Sequence, residues 1–374
     1  MKRLRVAFVA GTLARGGAEK QLVHMAAELA RAGVDVRVYA LTRDDDNGRA
    51  LAALGHAPVW IGRLAAPPAR LAALAAGLAT FRPHIVQAGH FFTNLYAAAG
   101  APVCGAAGIG AIRSDVRYEL GGHGVWGRPL LAAPADLIAN SWAGKQAAER
   151  AGRAPSTVHV VPNVIDLAAF EHAGGMPAPW PGAGPVAIAV GNLLPVKRID
   201  RFLAALRLAR LRSPDLRGVV VGDGPERQRL EATAAELGLL PDGIAFLGSR
   251  DDVPGLLRQA DMLVLSSEHE GFPNAVLEAM GARLPVVATP CGDVERIVAD
   301  GVTGFVVPPD DAEGMAERMS ALAGSLELRR RLGDAGRAVA ERTYASWRLA
   351  GRLQETYQAI AERRRRARLA AALA

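Results

Sequence analysis

Short apolar runs, glycine-containing turns and helix-period segments follow one another along the whole chain. In the first repeat, an apolar run precedes a segment whose apolar side chains recur on one helical face, with Gly33 just past its end: LRVAFVA, GTLARGG and AEKQLVHMAAELARAG. Further apolar runs are HIVQA and DLIANS in the first half and PVAIAVGN, LRGVVVGDG, DMLVLSS and LPVVAT in the second. Strands that alternate with helices indicate parallel sheets covered by helices on both faces.

A glycine- and proline-rich stretch, EHAGGMPAPWPGAGP, divides the pattern into two halves and predicts a domain linker. We therefore predict an α/β fold of two doubly wound, Rossmann-like domains that face each other across a cleft lined by strand carboxyl ends and helix N-termini. The predicted boundaries are residues 1–170 for the N-terminal domain, 171–185 for the linker, 186–345 for the C-terminal domain and 346–374 for an amphipathic C-terminal helix with a basic tail. The apolar side chains of that helix share one face: Leu349, Leu353, Tyr357 and Ile360.

Composition argues against several classes of protein. Half of the 374 residues are apolar and 22% are charged, which is typical of a globular chain with substantial cores. Cys104 and Cys291 are the only cysteines, so neither a disulfide framework nor a zinc-knuckle spacing is available, and a reducing cytosol is the expected compartment. No apolar stretch approaches the length of a bilayer-spanning helix. The net charge of +7 is concentrated from Glu341 onward, where eight arginines face three glutamates, so it indicates a basic tail rather than a nucleic-acid-binding surface.

The stretch EHEGFPNAVLEAM, residues 268–280, has the features of an anion site at a helix start. Pro273 suits the first helical turn, Gly271 allows close backbone approach, and the free N–H groups carry the positive end of the helix dipole. Glu270 and Glu278, with seven residues between them, would repel a phosphate that they touched, but they could accept hydrogen bonds from hydroxyls on either side of it. The stretch therefore fits a nucleotide-sugar, with its diphosphate in the middle and polyols at both ends. For either glutamate alone, a surface position or a structural ion pair is the competing interpretation.

This stretch resembles the E-x7-E motif of the retaining glycosyltransferases of the GT-B fold, family 4 or glycosyltransferase group 1. Further segments resemble other family motifs in the expected order: RGGAEKQLVHMAAELARAG, VVPNVIDLAAF, VGNLLPVKRID, VVGDGPERQRLEA, FLGSRDDVPGLLRQADMLVLSS and GVTGFVVPPDD. The resemblance covers nearly the whole chain. It implies a GT-B fold with an acceptor-side N-terminal domain, a nucleotide-sugar donor domain and a C-terminal helix that crosses back to the N-terminal domain.

The resemblance also assigns roles to individual residues. The implied catalytic residues are His90, Lys197 and Glu270, and the implied donor-binding residues are Gly16, Gly17, Asn192, Arg198, Gly271, Phe272, Asn274 and Glu278. By this resemblance Lys197 would neutralise charge on the departing diphosphate, and His90 would position the sugar ring from its other face. The sequence departs from the family pattern at two positions, because Asn192 stands where arginine is usual and Arg198 where glycine is usual.

Competing interpretations stay open for several positions. The Gly16–Gly17 pair could serve only a tight turn and a helix start, and His90 could be a structural histidine, with His84 as the alternative match to the family histidine. Asn163 and Asp166 are predicted to be turn and cap residues. GDGPE is interpreted as a sheet-edge loop because it lacks the G-x-G-x-x-G dinucleotide pattern. No Asp-x-Asp pair follows a strand and no His, Cys and Asp cluster has ligand spacing, so we expect no metal ion and no cofactor besides the nucleotide-sugar co-substrate.

The reaction that the resemblance implies is transfer of a sugar from a nucleoside diphosphate to a hydroxyl acceptor, with retention at the anomeric carbon. We expect front-face attack, a saccharide or lipid-linked acceptor, a role in cell-surface polysaccharide or glycolipid assembly, and no nucleic-acid partner. Two other functions stay open: another GT-B enzyme such as a nucleotide-sugar epimerase, and a catalytically weak partner subunit that binds nucleotide-sugar, which Asn192 would favour. The tail RRRRARLAAALA fits either a peripheral contact with the anionic inner face of the cytoplasmic membrane or a solvated helix end of a cytoplasmic protein. UDP and GDP donors are not distinguished.

Overall fold

The computed structural model describes residues 3–43, 46–62, 66–171, 180 and 184–373. The chain divides into two compact units, of which unit 1 comprises Met1–Val164 and Ser346–Ala374 and unit 2 comprises Ile165–Ala345. Most of the predicted linker, residues 171–185, lies outside the described residues.

The described residues of unit 1 form a seven-stranded parallel sheet in the order β3-β2-β1-β4-β5-β6-β7. The strands are β1 (Arg5–Ala10), β2 (Asp35–Ala40), β3 (Val59–Trp60), β4 (Ile85–Ala88), β5 (Ala107–Ile112), β6 (Asp136–Ala139) and β7 (Val158–Val160). The helices between them are α1 (Gly17–Arg31), α2 (Asp46–Ala53), α3 (Pro67–Phe81), α4 (Asn94–Gly100), α5 (Val116–Gly122), α6 (Gly127–Ala132) and α7 (Trp142–Arg150). The strand order reverses between β1 and β4, and ligands of doubly wound sheets bind at the carboxyl ends of the strands at such a reversal.

Alternate residues of β1 enter the cores on the two sides of this sheet. Val6 and Phe8 pack on the side of α1, whereas Ala7 and Val9 pack on the side of α3. The α1 residues predicted to share an apolar face are all buried in the first of these cores: Leu22, Met25, Ala26 and Leu29. Both faces of the sheet are therefore covered, as the alternation of strands and helices predicts.

The described residues of unit 2 form a six-stranded parallel sheet in the order β10-β9-β8-β11-β12-β13. The strands are β8 (Val186–Val190), β9 (Arg217–Val221), β10 (Ile244–Phe246), β11 (Met262–Leu265), β12 (Val286–Ala288) and β13 (Gly304–Val306). The helices are α8 (Ala168–Glu171), α9 (Ile199–Arg212), α10 (Arg227–Glu236), α11 (Val253–Gln259), α12 (Asn274–Gly281), α13 (Val294–Ile297), α14 (Ala312–Gly324) and α15 (Leu326–Val339). Here the order reverses between β8 and β11, which puts the loops after these two strands at the expected ligand position.

The C-terminal helix α16 (Leu349–Leu373) belongs to unit 1. Its predicted apolar face is buried in the core that also holds α1: Leu349, Leu353, Tyr357 and Ile360. The Tyr357 hydroxyl donates a hydrogen bond to Gln87 Oε1 of β4 at 2.6 Å. The prediction that the C-terminal helix crosses back to the N-terminal domain is therefore confirmed. Across the described residues, no helix combines the length and the apolarity that a bilayer crossing requires.

A buried carboxylate also holds α16 to the sheet. Asp136, at the start of β6, is fully buried, and its Oδ1 lies 2.6 Å from Arg363 Nη2 and 3.3 Å from His159 Nε2. Burial acts to raise the pKa of Asp136, but the hydrogen bonds from His159 and Arg363 outweigh it and hold that pKa below its usual value. The ionised carboxylate is therefore the form that stabilises the folded unit.

Candidate functional site

The loop after β11 carries Glu270, which unit 2 brings against Lys197. Glu270 Oε1 accepts hydrogen bonds from Lys197 Nζ at 2.7 Å and from Ser267 Oγ at 2.8 Å. The Glu270 side chain is only 11% exposed and that of Lys197 only 24%. Two residues that the sequence assigns to catalysis therefore form a largely buried ion pair at the strand-order reversal of unit 2.

Backbone contacts fix the two loops that carry this pair. The Glu268 N–H donates to the Val196 carbonyl at 2.9 Å, and Ser266 Oγ donates to the Lys197 carbonyl at 3.2 Å. The loops after β8 and β11 are thus joined on either side of the ion pair. The position of Lys197 Nζ is consequently set by main-chain contacts as well as by its charge.

Glycine packing brings the loop after β9 against the loop after β8. Gly222 has φ +136°, and a Cβ at that position would lie 2.0 Å from the Gly191 carbonyl oxygen. Gly224, with φ +158°, would place a Cβ 2.6 Å from the Leu193 carbonyl oxygen. These glycines belong to the GDGPE stretch, so the structure gives that stretch a packing role behind the Lys197 loop.

The turn before α12 holds Glu270 from the opposite side. Gly292, with φ +57°, follows β12, and a Cβ there would lie 2.8 Å from the Glu270 carbonyl oxygen. Gly271 and Phe272 are buried, and the Phe272 ring meets that of Tyr344 edge-on at 5.9 Å between centroids. The turn is therefore anchored in the core of unit 2.

Helix α12 begins at Asn274, so the prediction that Pro273 lies in the first helical turn is wrong by one residue. Pro273 instead precedes the helix with φ −79° and ψ 81°, because it lies at the centre of a tight turn in which the Asn274 N–H donates to the Phe272 carbonyl at 2.9 Å. Asn274 and Glu278 are half-buried on α12 one turn apart, and no acidic residue lies in the first turn. An anion at this N-terminus would therefore meet no carboxylate from the first turn of the helix.

The two departures from the family motif have different surroundings. Asn192 is exposed in the loop after β8. Arg198 has a left-handed backbone with φ 47°, and its Nη2 donates to Asp200 Oδ2 at 2.9 Å. This hydrogen bond to Asp200 raises the pKa of the Arg198 guanidinium. The charge of Arg198 is therefore already balanced by Asp200.

Arg201 is a basic residue of this region that sequence reasoning missed. Its side chain is 13% exposed, and Nη2 lies 3.2 Å from Asp310 Oδ1, whereas the buried Nε and Nη1 atoms have no hydrogen-bond partner. Buried guanidinium N–H groups without acceptors are costly, and the oxygen atoms of an anionic ligand would supply the missing acceptors. The only signal in the sequence is its place four residues after Lys197, because burial in the first turn of α9 cannot be read from the motif.

The pKa of the Cys291 thiol is affected by the charges of Glu270, Lys197 and Arg201. Burial, together with the nearby Glu270, raises the pKa of Cys291 to about 12, against the opposing effects of the Thr289 hydrogen bond, Lys197 and Arg201. Arg201 therefore lies close enough to the Lys197–Glu270 pair for its charge to act on the same group. The thiol itself is protonated and inert at neutral pH.

In unit 1, His90 lies just after β4 and forms one defined tautomer. Its Nδ1 accepts a hydrogen bond from the Gly11 N–H at 3.1 Å, so the ring proton is on Nε2, which donates to Glu19 Oε1 at 3.0 Å. His84, the competing match, accepts the Arg5 N–H with Nδ1 at 3.0 Å at the amino end of β4. His90 is therefore the histidine at the carboxyl edge of the sheet.

Glu19 connects the glycine loop to His90 and was not among the predicted residues. Gly16 precedes α1 with an extended backbone, and Gly17 begins the helix. A Cβ at Gly16 would lie 2.1 Å from Glu19 Oε2, so the glycine leaves room for the carboxylate. Unit 1 thus brings Gly16, Gly17 and His90 together around Glu19. A glutamate three residues after the residue that precedes a helix is a recognisable signal, which could have indicated this role.

A second carboxylate–imidazole pair lies beside His90. His123 Nε2 is 3.3 Å from Glu119 Oε2 on α5, and the Phe92 ring lies 5.5 Å from His90 and 6.3 Å from His123 between centroids. Burial raises the pKa of Glu119, although His123 and His90 lower it in part. The carboxyl edge of unit 1 therefore combines two imidazoles, two carboxylates and an aromatic ring.

The remaining predicted positions concern metal ligands and turn residues. Within the part of the chain that the structure describes, no group of three or more His, Cys, Asp or Glu side chains could hold a metal ion. Asp166 Oδ1 accepts the Ala168 N–H at 3.1 Å just before α8, which is a turn contact, and Asn163 is buried.

Two doubly wound parallel sheets, each with glycine-rich loops and polar side chains at its order reversal, define a two-domain α/β protein of the GT-B class. A crystal structure of Anabaena Alr3699/HepE in complex with UDP and glucose matches this fold with a TM-score of 0.79 and 20% identity, over 95% of this chain and 100% of that chain. Residues 15–169 match the family described as Glycosyltransferase Family 4, and residues 177–339 match Glycosyl transferases group 1. The chain belongs to the group 1 glycosyltransferases.

Two curated relatives are similar over part of the chain. The α-D-kanosaminyltransferase of Streptomyces kanamyceticus is 32% identical over 152 residues, covering 40% of this chain and 39% of that protein. The lipopolysaccharide core biosynthesis glycosyltransferase LpsE of Rhizobium meliloti is 33% identical over 156 residues, covering 42% of this chain and 44% of that protein. The match thus spans less than half the length of either relative.

Proposed function

We propose that the protein transfers a sugar from a nucleoside-diphosphate-sugar to a hydroxyl group of a saccharide or lipid-linked acceptor, with retention at the anomeric carbon. The observation that carries this proposal is the Lys197–Glu270 pair, held at 2.7 Å at the strand-order reversal of unit 2 beside the start of α12. The lysine and the helix N-terminus suit the diphosphate of such a donor, and the carboxylate suits its sugar, because it can accept hydrogen bonds from the sugar hydroxyls.

In the proposed donor complex the diphosphate lies at the N-terminus of α12. Lys197 Nζ then also contacts the phosphate oxygens, and Glu270 accepts hydrogen bonds from sugar hydroxyls. Glu278, one turn into α12, accepts from the ribose hydroxyls. The unpartnered N–H groups of Arg201 supply the donors that Asn192 does not. We also propose that these groups provide the positive charge without a metal ion.

In the proposed reaction the bond between the anomeric carbon and the phosphate oxygen breaks while the acceptor oxygen bonds to the same face of that carbon. The acceptor proton passes to the departing diphosphate, so no side chain has to act as a strong base or as a covalent nucleophile. The residues of the chain supply orientation and charge stabilisation. His90, fixed as its Nε2–H tautomer, is proposed to orient the sugar from unit 1.

The proposed biological setting is assembly of a cell-surface polysaccharide or glycolipid in the cytoplasm, with the basic tail at an anionic membrane surface. The relationship to a lipopolysaccharide core glycosyltransferase supports this class of acceptor. The Glu119–His123 pair and the Phe92 ring are proposed to contact the acceptor sugar, because carboxylates and aromatic faces suit a polyol ring.

The test is a screen of donor binding and turnover. Thermal shift and hydrolysis are measured with UDP-, GDP- and ADP-sugars, starting with UDP-glucose because a structural neighbour was crystallised with UDP and glucose. The same screen is run on Glu270→Ala and Lys197→Ala, with Glu268→Ala as the matched control since that carboxylate is 51% exposed. We expect Glu270→Ala and Lys197→Ala to lose donor hydrolysis and Glu268→Ala to retain it. We expect EDTA to leave the hydrolysis by the wild type unchanged.

Three results would contradict the proposal. Equal behaviour of all three variants would place the active site elsewhere. Tight nucleotide binding without turnover in the presence of acceptor extracts would support a partner subunit. Release of a 2-epimer or a glycal from donor alone would support an epimerase.

A further inference from the structure

A cavity of about 380 Å³ lies in unit 1 between the last part of α16 and the amino ends of β4 and β5. His84 stands just before β4, and the segment 105–107 leads into β5. His90, at the other end of β4, is six residues from His84, which is roughly 20 Å along a strand. The cavity is therefore at the opposite edge of the sheet from the residues proposed for sugar transfer.

Apart from His84, whose Nδ1 accepts the Arg5 N–H, the side chains around this cavity are cationic or apolar. Arg364 and Arg365 of α16 line it, and none of its described lining residues is acidic. The buried Nη1 atom of Arg364 has no hydrogen-bond partner. A buried guanidinium nitrogen without an acceptor is costly, and an anion in the cavity would remove that cost.

The four consecutive arginines of α16 have separate surroundings, which shows that the cavity is not simply part of a uniform basic surface. Arg363 is matched by the buried Asp136, with Nη2 2.6 Å from Oδ1. Arg366 is exposed and does not line the cavity. Of these four arginines, only Arg364 and Arg365 line the cavity, so two cationic side chains border one space.

The walls also indicate the kind of anion. Ala106, Ala361 and Leu369 present apolar surface next to the two guanidinium groups. Guanidinium groups bind phosphate oxygens through paired N–H donors, which a single chloride ion cannot match. The space thus suits a phosphate group attached to an apolar or uncharged portion.

We propose that this cavity binds the phosphate group of a phosphate ester, either the headgroup of an anionic phospholipid or a soluble phosphorylated metabolite. The proposal goes beyond sugar transfer and does not depend on it, because it uses a different edge of unit 1. Binding there would join α16 to the starts of β4 and β5 through the ligand.

The experiment uses the full chain with Arg364→Ala/Arg365→Ala. The control, Arg128→Ala/Arg150→Ala, removes two exposed arginines of unit 1 that lie outside both the cavity and the basic tail. Glycerol 3-phosphate is titrated by calorimetry, and vesicles of phosphatidylglycerol and phosphatidylcholine, or of phosphatidylcholine alone, are used in cosedimentation. We expect the first pair to weaken binding by about tenfold or more and the control by less than about twofold.

The two probes distinguish the sources of the phosphate. One-to-one binding of glycerol 3-phosphate that depends on the first pair supports a soluble ester, and vesicle binding that depends on it supports a lipid headgroup. Arg364→Lys/Arg365→Lys keeps the charge and should retain part of the affinity, so a folding defect of the alanine variant would not leave the question open. Equal loss in both alanine pairs, or no binding of either probe to the wild type, would overturn the proposal.

Discussion

Replacing Lys197 by methionine separates the structural part of the Lys197–Glu270 pair from its part in sugar transfer. Methionine keeps most of the length of the side chain and removes the charge. Glu270 then keeps the hydrogen bond from Ser267 Oγ, and its side chain, which is 11% exposed in the wild type, stays largely shielded from solvent. The variant therefore leaves a nearly buried charge without its counter-ion.

The cost follows from this burial. Removing one partner of a fully buried ion pair costs about 3–5 kcal/mol, and the partial exposure of Lys197 together with the remaining Ser267 contact reduces this to about 2–3 kcal/mol. For a unit of the size of unit 2, that corresponds to a fall in Tm of about 5–10 °C. The double variant Lys197→Met/Glu270→Gln removes both charges, and we expect it to recover to within about 1 kcal/mol of the wild type.

Turnover should respond differently from stability. If Lys197 stabilises the departing diphosphate, its loss lowers kcat by about 10²- to 10³-fold, and neutralising Glu270 as well does not restore it. Calorimetric unfolding and donor turnover are measured on both variants. Lys145→Met is the control, because Lys145 pairs with Glu149 at 3.8 Å on α7 and should cost less than about 1 kcal/mol. A double variant that regains turnover along with stability, or a single variant with wild-type turnover, would refute the reasoning.

Three further predictions concern other polar groups. Arg201→Met should weaken donor binding by about 10- to 100-fold with little change in Tm, measured by titration of the nucleoside diphosphate, and unchanged binding would rule out its role. Glu19→Ala should lower turnover by about tenfold because His90 loses its acceptor, whereas Glu19→Gln, which still accepts from Nε2, should stay near wild type; equal loss in both would contradict this. The stability that Asp136 contributes is fully present above its unfolded pKa of about 4 and is lost as pH falls through its lower folded pKa, so urea unfolding of Asp136→Asn should show lower stability than the wild type at pH 7, and the difference should shrink as the pH falls below about 4.

The sequence predicted the elements better than the contacts between them. The period of α16 was enough to identify Leu353 and Tyr357 as core residues, because helix geometry alone puts them on one face. Lys197 and Glu270 are 73 residues apart, and their direct contact depends on β8 and β11 being neighbours, which only the sheet order determines. The resemblance to family motifs identified both residues, but it could not predict that their side chains form an ion pair with each other.

Buried polar groups outside the motifs were the main omission. Arg201 looks like an ordinary helical arginine in the sequence, and the burial of its Nε and Nη1 atoms without acceptors is a property of the folded unit. Glu19 lies within the RGGAEKQ motif on α1, but its partner His90 follows β4, so its role depends on β1 and β4 being neighbours. Local patterns carry no information on such pairings.

The path of the chain through the two units has a consequence for biosynthesis. The polypeptide leaves unit 1 after Val164 and returns only at Ser346, so the ribosome must make all of unit 2 before the side chains of α16 become available. At about 5–20 residues per second this leaves the first core without its last helix for roughly 10–40 s. During that interval the nascent seven-stranded sheet exposes the surface that Leu353 and Ile360 later cover, so unit 2 can complete its fold first although it is synthesised second.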